Sequence, residues 1–190
     1  MAQGASSGLR RSGPRPRQQR RRHRPRRREV QNLADKQPDT ALALPLDVTD
    51  DTQITAAVAA AEERFGGVDV LANNAGYGYR AAVDEGEDGP VRQLFDTHVF
   101  GSLRTIKAEL PGMRARRSGT IDNLSSIGAR ICPEGSGYYS AVKAAIEALT
   151  LSLRKEVAPL GIPAMLVEPG GFRTLACTES ILPAVRSWPP

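Results

Sequence analysis

Tyr139 and Lys143 stand four residues apart at the start of a segment whose apolar positions, Val142, Ile146, Leu149, Leu153 and Val157, recur with helical period. On a helix that spacing places the phenol and the ammonium on one face, about one turn apart. A phenol with a reference pKa of about 10 is a poor acid or base near neutrality, but a fixed neighbouring cation favours the phenolate. Such a pair suits the movement of a proton to or from an alcohol oxygen. The pattern also arises by chance on ordinary surface or packed helices, so its surroundings decide its meaning. Ser126 precedes Tyr139 by thirteen residues and follows a strand-like run that ends at Asn123-Leu124. At the carboxyl end of a parallel strand its hydroxyl is placed to hydrogen-bond a substrate carbonyl.

The elements that must hold these groups follow from periodicity and breakers. Thr49 is placed to cap a helix that runs to about Phe65 with Gly66 as its stop, and Ile54, Val58, Ala61 and Phe65 form its apolar face. Val68–Ala72 reads as a buried strand, and Asn73-Asn74-Ala75-Gly76 as the turn at its carboxyl end. A helix over about Val91–Met113 follows, its last turn weakened by Pro111. Thr120–Leu124, Tyr138–Val157 and Ala164–Glu168 continue as strand, helix and strand, stopped by Pro169-Gly170. This alternation predicts an α/β domain with a parallel sheet covered on both faces. Asp47, the Asn73–Gly76 turn, Ser126 and Pro169-Gly170 would then share the ligand-binding edge of that sheet.

Asn74-Ala75-Gly76 after a strand, Ser126, Tyr139-x-x-x-Lys143 and Pro169-Gly170-x-x-x-Thr174 occur in the order and spacing of one family. Over residues 41–174 the chain resembles the short-chain dehydrogenase/reductase family. Its segments Asn73–Arg80, Gly128–Leu149 and Glu168–Thr174 are similar to the branch with hydroxysteroid and retinol dehydrogenases. Gly4-Ala5-Ser6-Ser7-Gly8-Leu9 resembles the family's glycine-rich cofactor turn.

The resemblance implies a doubly wound Rossmann-type sheet, NADP or NAD as cofactor, and a small-molecule alcohol or ketone as substrate. Tyr139 would be the acid/base, Lys143 would lower its pKa and hold the nicotinamide ribose, and Ser126 would polarise the carbonyl. Gly4, Ser6, Gly8 and Leu9 would form the cofactor turn. Asp47 and Val48 would lie near the adenine, Asn74, Ala75 and Gly76 along the adenosine ribose, and Pro169, Gly170 and Thr174 against the nicotinamide. The family's proton-relay asparagine is replaced by His98, a residue that can still donate and accept hydrogen bonds. Relatives are often homo-oligomers through the tyrosine-bearing helix and its neighbour.

Departures concentrate at the ends. Gln3 and Arg10 replace the threonine and last glycine of the family's turn. Eleven arginines lie between Arg10 and Arg28, so a chain of formal charge +5 leaves the remainder at −6. From Arg10 to Glu29 there is no Leu, Ile, Val, Ala or Phe, so this stretch is expected to be disordered and to pack no face on the core. Arginine without interleaved aromatics argues against a nucleic-acid tail, and the lack of apolar positions argues against a presequence. A shifted reading frame in a G+C-rich gene is the favoured explanation, with a second after Thr174.

The expected organisation is a degraded turn and disordered segment over 1–40, a core over 41–174 and an unstructured tail over 175–190. Ala41–Leu46, in the place of the family's third strand, would lack its partner, and cofactor binding and activity would be impaired. Asp122 stands where relatives carry an aliphatic residue, and a carboxylate buried in a central strand costs several kcal/mol unless paired. Cys132 and Cys177 suit a reducing compartment and form no metal-ligand pattern. With no apolar run of membrane-spanning length, the expected location is cytoplasmic.

Overall fold

The computed structural model describes residues 27–170 and 181–183. In chain order the elements are α1 (Arg27–Lys36), α2 (Asp51–Phe65), β1 (Val70–Asn73), β2 (Gly78–Arg80) and α3 (Asp88–Phe95). A π-helical turn, Asp96–Phe100, leads into α4 (Gly101–Arg116), followed by β3 (Thr120–Leu124), α5 (Gly128–Ile131) and α6 (Gly137–Val157). A 3₁₀ turn, Ala158–Leu160, β4 (Ala164–Val167) and β5 (Ile181–Pro183) complete the series.

Strands β1, β3 and β4 form a parallel sheet in the order β1-β3-β4. Register aligns Leu71, Ile121 and Ala164 in one row and Asn73, Asn123 and Leu166 in another. These rows face α4 and α6, whose Ile106, Leu110, Met113 and Val157 close one core cluster around Ile121 and Ala164. Val142 and Ile146 of α6 pack with Tyr79, Leu94 and Val99 in a second. The fold is therefore α/β with a parallel Rossmann-type sheet, and all three strands point their carboxyl ends toward one edge.

Coverage of both faces is not found among the described residues. Alternate positions on the other face stay open, with Val70 57% and Met165 43% exposed. Helix α2 packs on α4, away from the sheet. Asp122 lies on the open face between Ala72 and Met165 and is half-buried, but its Oδ1 is buried without a hydrogen-bond partner, so the cost its position suggested falls on that oxygen.

Several local expectations are corrected. The cap of α2 is Asp50, whose carboxylate accepts from the Thr52 and Gln53 amides, because Thr49 instead donates to Asp47. Gly66 closes the helix at φ 81°, a left-handed conformation that favours glycine. Only Ile54 of the anticipated apolar face is buried, while Phe65 is exposed. Ala41–Leu46 forms no strand: among the described residues no strand lies beside it to supply a ladder, and Leu42, Leu44 and Leu46 are exposed.

Pro111 does not end α4, which continues to Arg116. Pro111 and Lys107 are both solvent-facing, so water can satisfy the Lys107 carbonyl while buried Leu110 and Met113 hold the turn. Arg27 to Glu29 open a helix, contrary to the expectation for 10–29, and residues 10–26 lie outside the described residues. The tail expected over 175–190 contains β5, which pairs parallel with β2 from Gly78↔Ile181 to Arg80↔Pro183.

One-sided burial has an energetic consequence. Ile121→Ala, which empties a fully buried site, is expected to cost about 2–5 kcal/mol in urea unfolding. Val70→Ala on the open face is expected to cost under about 1 kcal/mol, and equal losses would contradict the one-sided core.

Candidate active site

The carboxyl edge of β3 and the first turns of α6 bring the chemistry-bearing side chains together. Ser126 and the Tyr139 ring flank the same glycine: a Cβ built on Gly128 would lie 3.4 Å from Ser126 Oγ and 3.6 Å from Tyr139 Cε1. The Gly128 amide donates to Ser126 Oγ at 3.1 Å, orienting the hydroxyl oxygen. Lys143 Nζ lies 5.7 Å from the Tyr139 ring centroid and donates to the Leu124 carbonyl at 2.7 Å. Only 8% of Lys143 is exposed, and burial pulls its pKa from 10.5 down to about 8.

His98 meets the edge of Tyr139, with ring centroids 5.8 Å apart at 90°. It sits in the π-helical turn, and its Nε2 lies 3.0 Å from the Tyr77 amide nitrogen and 2.8 Å from the Tyr77 carbonyl oxygen. One ring nitrogen can accept from the amide or donate to the carbonyl, depending on tautomer, but cannot do both. Gly76 has no side chain where the imidazole sits, since a Cβ there would lie 2.8 Å from both ring nitrogens. His98 is 3% exposed, and its pKa falls to about 4 chiefly through burial, then through the Lys143 cation, against the Tyr77 hydrogen bond. At neutral pH it is an uncharged hydrogen-bonding group.

Val48, Asn74 and Ala75 line a cavity of about 240 Å³ with Ala72, Thr97 and Ser102, at the carboxyl end of β1. Asp47 is not drawn into it; its carboxylate accepts from the Thr49 amide and hydroxyl at the entry to α2. Pro169 and Gly170 follow β4 at the same sheet edge. Gly4, Ser6, Gly8, Leu9 and Thr174 lie outside the described residues.

Beneath this edge lie polar residues that the motifs did not single out, buried Thr105, Asn123 and Thr150 and half-buried Glu147, together with half-buried Asn73. A signal for one of them was present. Asn123 is two residues from Ile121, so strand alternation turns it onto the covered face where a polar group must find partners.

A profile of the short chain dehydrogenase family matches residues 6–182. The chain belongs to the short-chain dehydrogenase family. The matched range continues on both sides of the 41–174 stretch in which the motifs are recognisable.

Among relatives, the oxidoreductase BOA17 of Botryotinia fuckeliana is 37% identical over 147 residues, which are 77% of this chain and 54% of that protein. A short-chain dehydrogenase from Streptomyces avermitilis superposes with a TM-score of 0.77 at 44% identity, covering 83% of this chain and 59% of the other. The gluconate 5-dehydrogenase of Burkholderia cenocepacia, solved with NADP and tartrate, superposes at 0.71 with 31% identity, covering 77% and 59%. The chain thus spans little more than half the length of these relatives.

The neutrality of His98 sets a pH dependence. The folded chain leaves His98 unprotonated down to about pH 4, while the unfolded chain takes up the proton near 6.5. Between those values the unfolded state binds more protons, so stability falls as pH drops from 6.5 toward 4, by roughly 3 kcal/mol from this group. His98→Asn should remove that component from the pH dependence of urea unfolding. Parallel profiles for the two proteins would contradict it.

Proposed function

We propose that this chain transfers a hydride between NADP or NAD and a small alcohol or ketone, with Tyr139 as the acid/base. The observation that carries the reading is the meeting of Ser126, Tyr139 and Lys143 where β3 exits toward α6. In the reductive direction Ser126 Oγ donates to the substrate carbonyl, holding it and drawing charge toward oxygen. Tyr139 gives its proton to that oxygen as charge develops there. Lys143, still mostly cationic at neutral pH, stabilises the resulting phenolate and hands on a proton in turn. The hydride itself is the chemistry that the nicotinamide supplies when bound.

Val48, Asn74 and Ala75 would take the adenosine half, through the cavity at the end of β1, and Gly76 its ribose. Asp47 would act from the mouth of that region, and Gly4, Ser6, Gly8 and Leu9 would hold the phosphates. Pro169, Gly170, Thr174 and Lys143 would hold the nicotinamide side. His98 would serve the proton path as a neutral group fixed to the Tyr77 backbone, in place of an asparagine able to satisfy both the amide and the carbonyl at once.

Titration of NADPH and NADH into the purified chain, followed by a panel of ketones and secondary alcohols, tests the reading. Expected are saturable but weak cofactor binding and slow turnover that falls at least about 100-fold in Tyr139→Phe. A folded chain without cofactor binding, or with turnover unchanged in Tyr139→Phe, would overturn it.

A further inference from the structure

Three consecutive residues at the exit of β3 make polar bonds to three positions on α6. Asn123 Nδ2 donates to Thr150 Oγ1 at 2.9 Å, Lys143 Nζ donates to the Leu124 carbonyl at 2.7 Å, and Ser125 Oγ donates to Glu147 Oε1 at 2.6 Å. Positions 143, 147 and 150 lie along one face of the helix. We propose that Asn123, Glu147 and Thr150 are positioning residues that lock the register of α6 on β3, and so hold Ser126 and Lys143 in place around Tyr139.

The argument rests on direction. Apolar packing between β3 and α6 attracts without specifying register, whereas hydrogen bonds weaken steeply with misalignment. The bonds are also oriented by their partners. Thr150 uses its only hydroxyl proton on the Ile146 carbonyl at 2.7 Å, so it can only accept from Asn123. With its amide nitrogen committed there, Asn123 turns Oδ1 toward Asn73 Nδ2, 2.8 Å away, and Asn73 Oδ1 accepts from Thr105 at 2.6 Å. Asn123 and Thr150 are 2% and 0% exposed, so water does not compete for the bond between them, while the Ser125–Glu147 bond is part-buried. The chain of bonds thus continues from α6 through β3 to the end of β1, where Asn74 and Ala75 line the cavity.

This inference rests on the dehydrogenase reading for its consequence in turnover, but its physical content is tested without it. The lysines of the chain are Lys36, Lys107, Lys143 and Lys155, so Lys143 can be followed by NMR after isotopic methylation of the full-length protein. Thr150→Val keeps the shape and removes the acceptor. If the lock exists, Lys143 loosens from Leu124 and gains water, and its titration midpoint rises by about half a pH unit or more. Thr150→Ser restores it, and Val157→Ala, a destabilising change elsewhere in the core, leaves it unmoved.

Glu147→Leu compared with Glu147→Gln gives a second reading if Thr150→Val does not fold, because both are uncharged and only the glutamine accepts from Ser125. A folded Thr150→Val with an unmoved Lys143 midpoint, or equal midpoints in the two Glu147 variants, would overturn the lock. Where turnover is measurable, kcat falls in Thr150→Val, and serine restores it. Lys143 responding as expected in a chain with no turnover would instead overturn the dehydrogenase reading and leave the lock standing.

Discussion

A buried ammonium held on a peptide carbonyl is the constraint to which the rest of the site answers. Lys143 donates a hydrogen bond to Leu124 O, a dipole without formal charge. A carboxylate in that position would favour the cation and oppose the desolvation. The carbonyl offsets only part of it, and burial brings the pKa to about 8. The same placement reaches His98, whose imidazole is kept neutral first by its own burial and then by the Lys143 charge. Burial thereby keeps His98 uncharged at neutral pH and lowers the Lys143 pKa toward neutrality while leaving it mostly cationic.

Close backbone approach is the second requirement, and two glycines meet it on either side of the π-helical turn. Gly76 leaves space for the His98 ring, and Gly101 leaves space for Val48, whose Cγ2 would lie 2.7 Å from a Cβ there. The wider π turn accommodates an extra residue within what would otherwise be one helix from Asp88 to Arg116. It displaces His98 into the second core cluster's neighbourhood, against Tyr77 and Tyr139. The turn, the glycines and the loop after β1 are therefore one packing problem with one solution.

What could be read from residue order alone was whatever depends on period and breakers. Thr120–Leu124 forms as expected, α6 and β4 differ from expectation by one residue at an end, and Gly66 stops α2. The approach of Ser126 to Tyr139 was legible because Ser126 follows directly on β3 and Tyr139 lies on α6. The π turn was not, because Asp96–Phe100 carries no breaker and its geometry is set by contacts with Gly76 and Tyr77 that are distant in sequence. Nor was the fate of Ala41–Leu46, since an apolar run becomes a strand only beside a partner. Strand β5 escaped notice for the converse reason: Ile181–Pro183 is short and ends in proline, and its pairing with β2 supplies the order that its own composition does not announce.

The two rows of the covered sheet face divide the work between cohesion and placement. Leu71, Ile121 and Ala164 form an apolar row toward the amino ends of the strands, packed by α4 and α6. One step toward the carboxyl edge the row becomes Asn73, Asn123 and Leu166, and burial there would be costly without partners. Each amide finds them: Asn73 accepts from Thr105 and donates to Asn123, and Asn123 donates to Thr150. A slip of one residue in β3 would exchange Asn123 with Asp122, moving a carboxylate inward and the amide out to the open face. Apolar residues could not penalise that slip so heavily. The polar row therefore specifies register most strongly at the end of the sheet where Leu124 and Ser126 must meet α6.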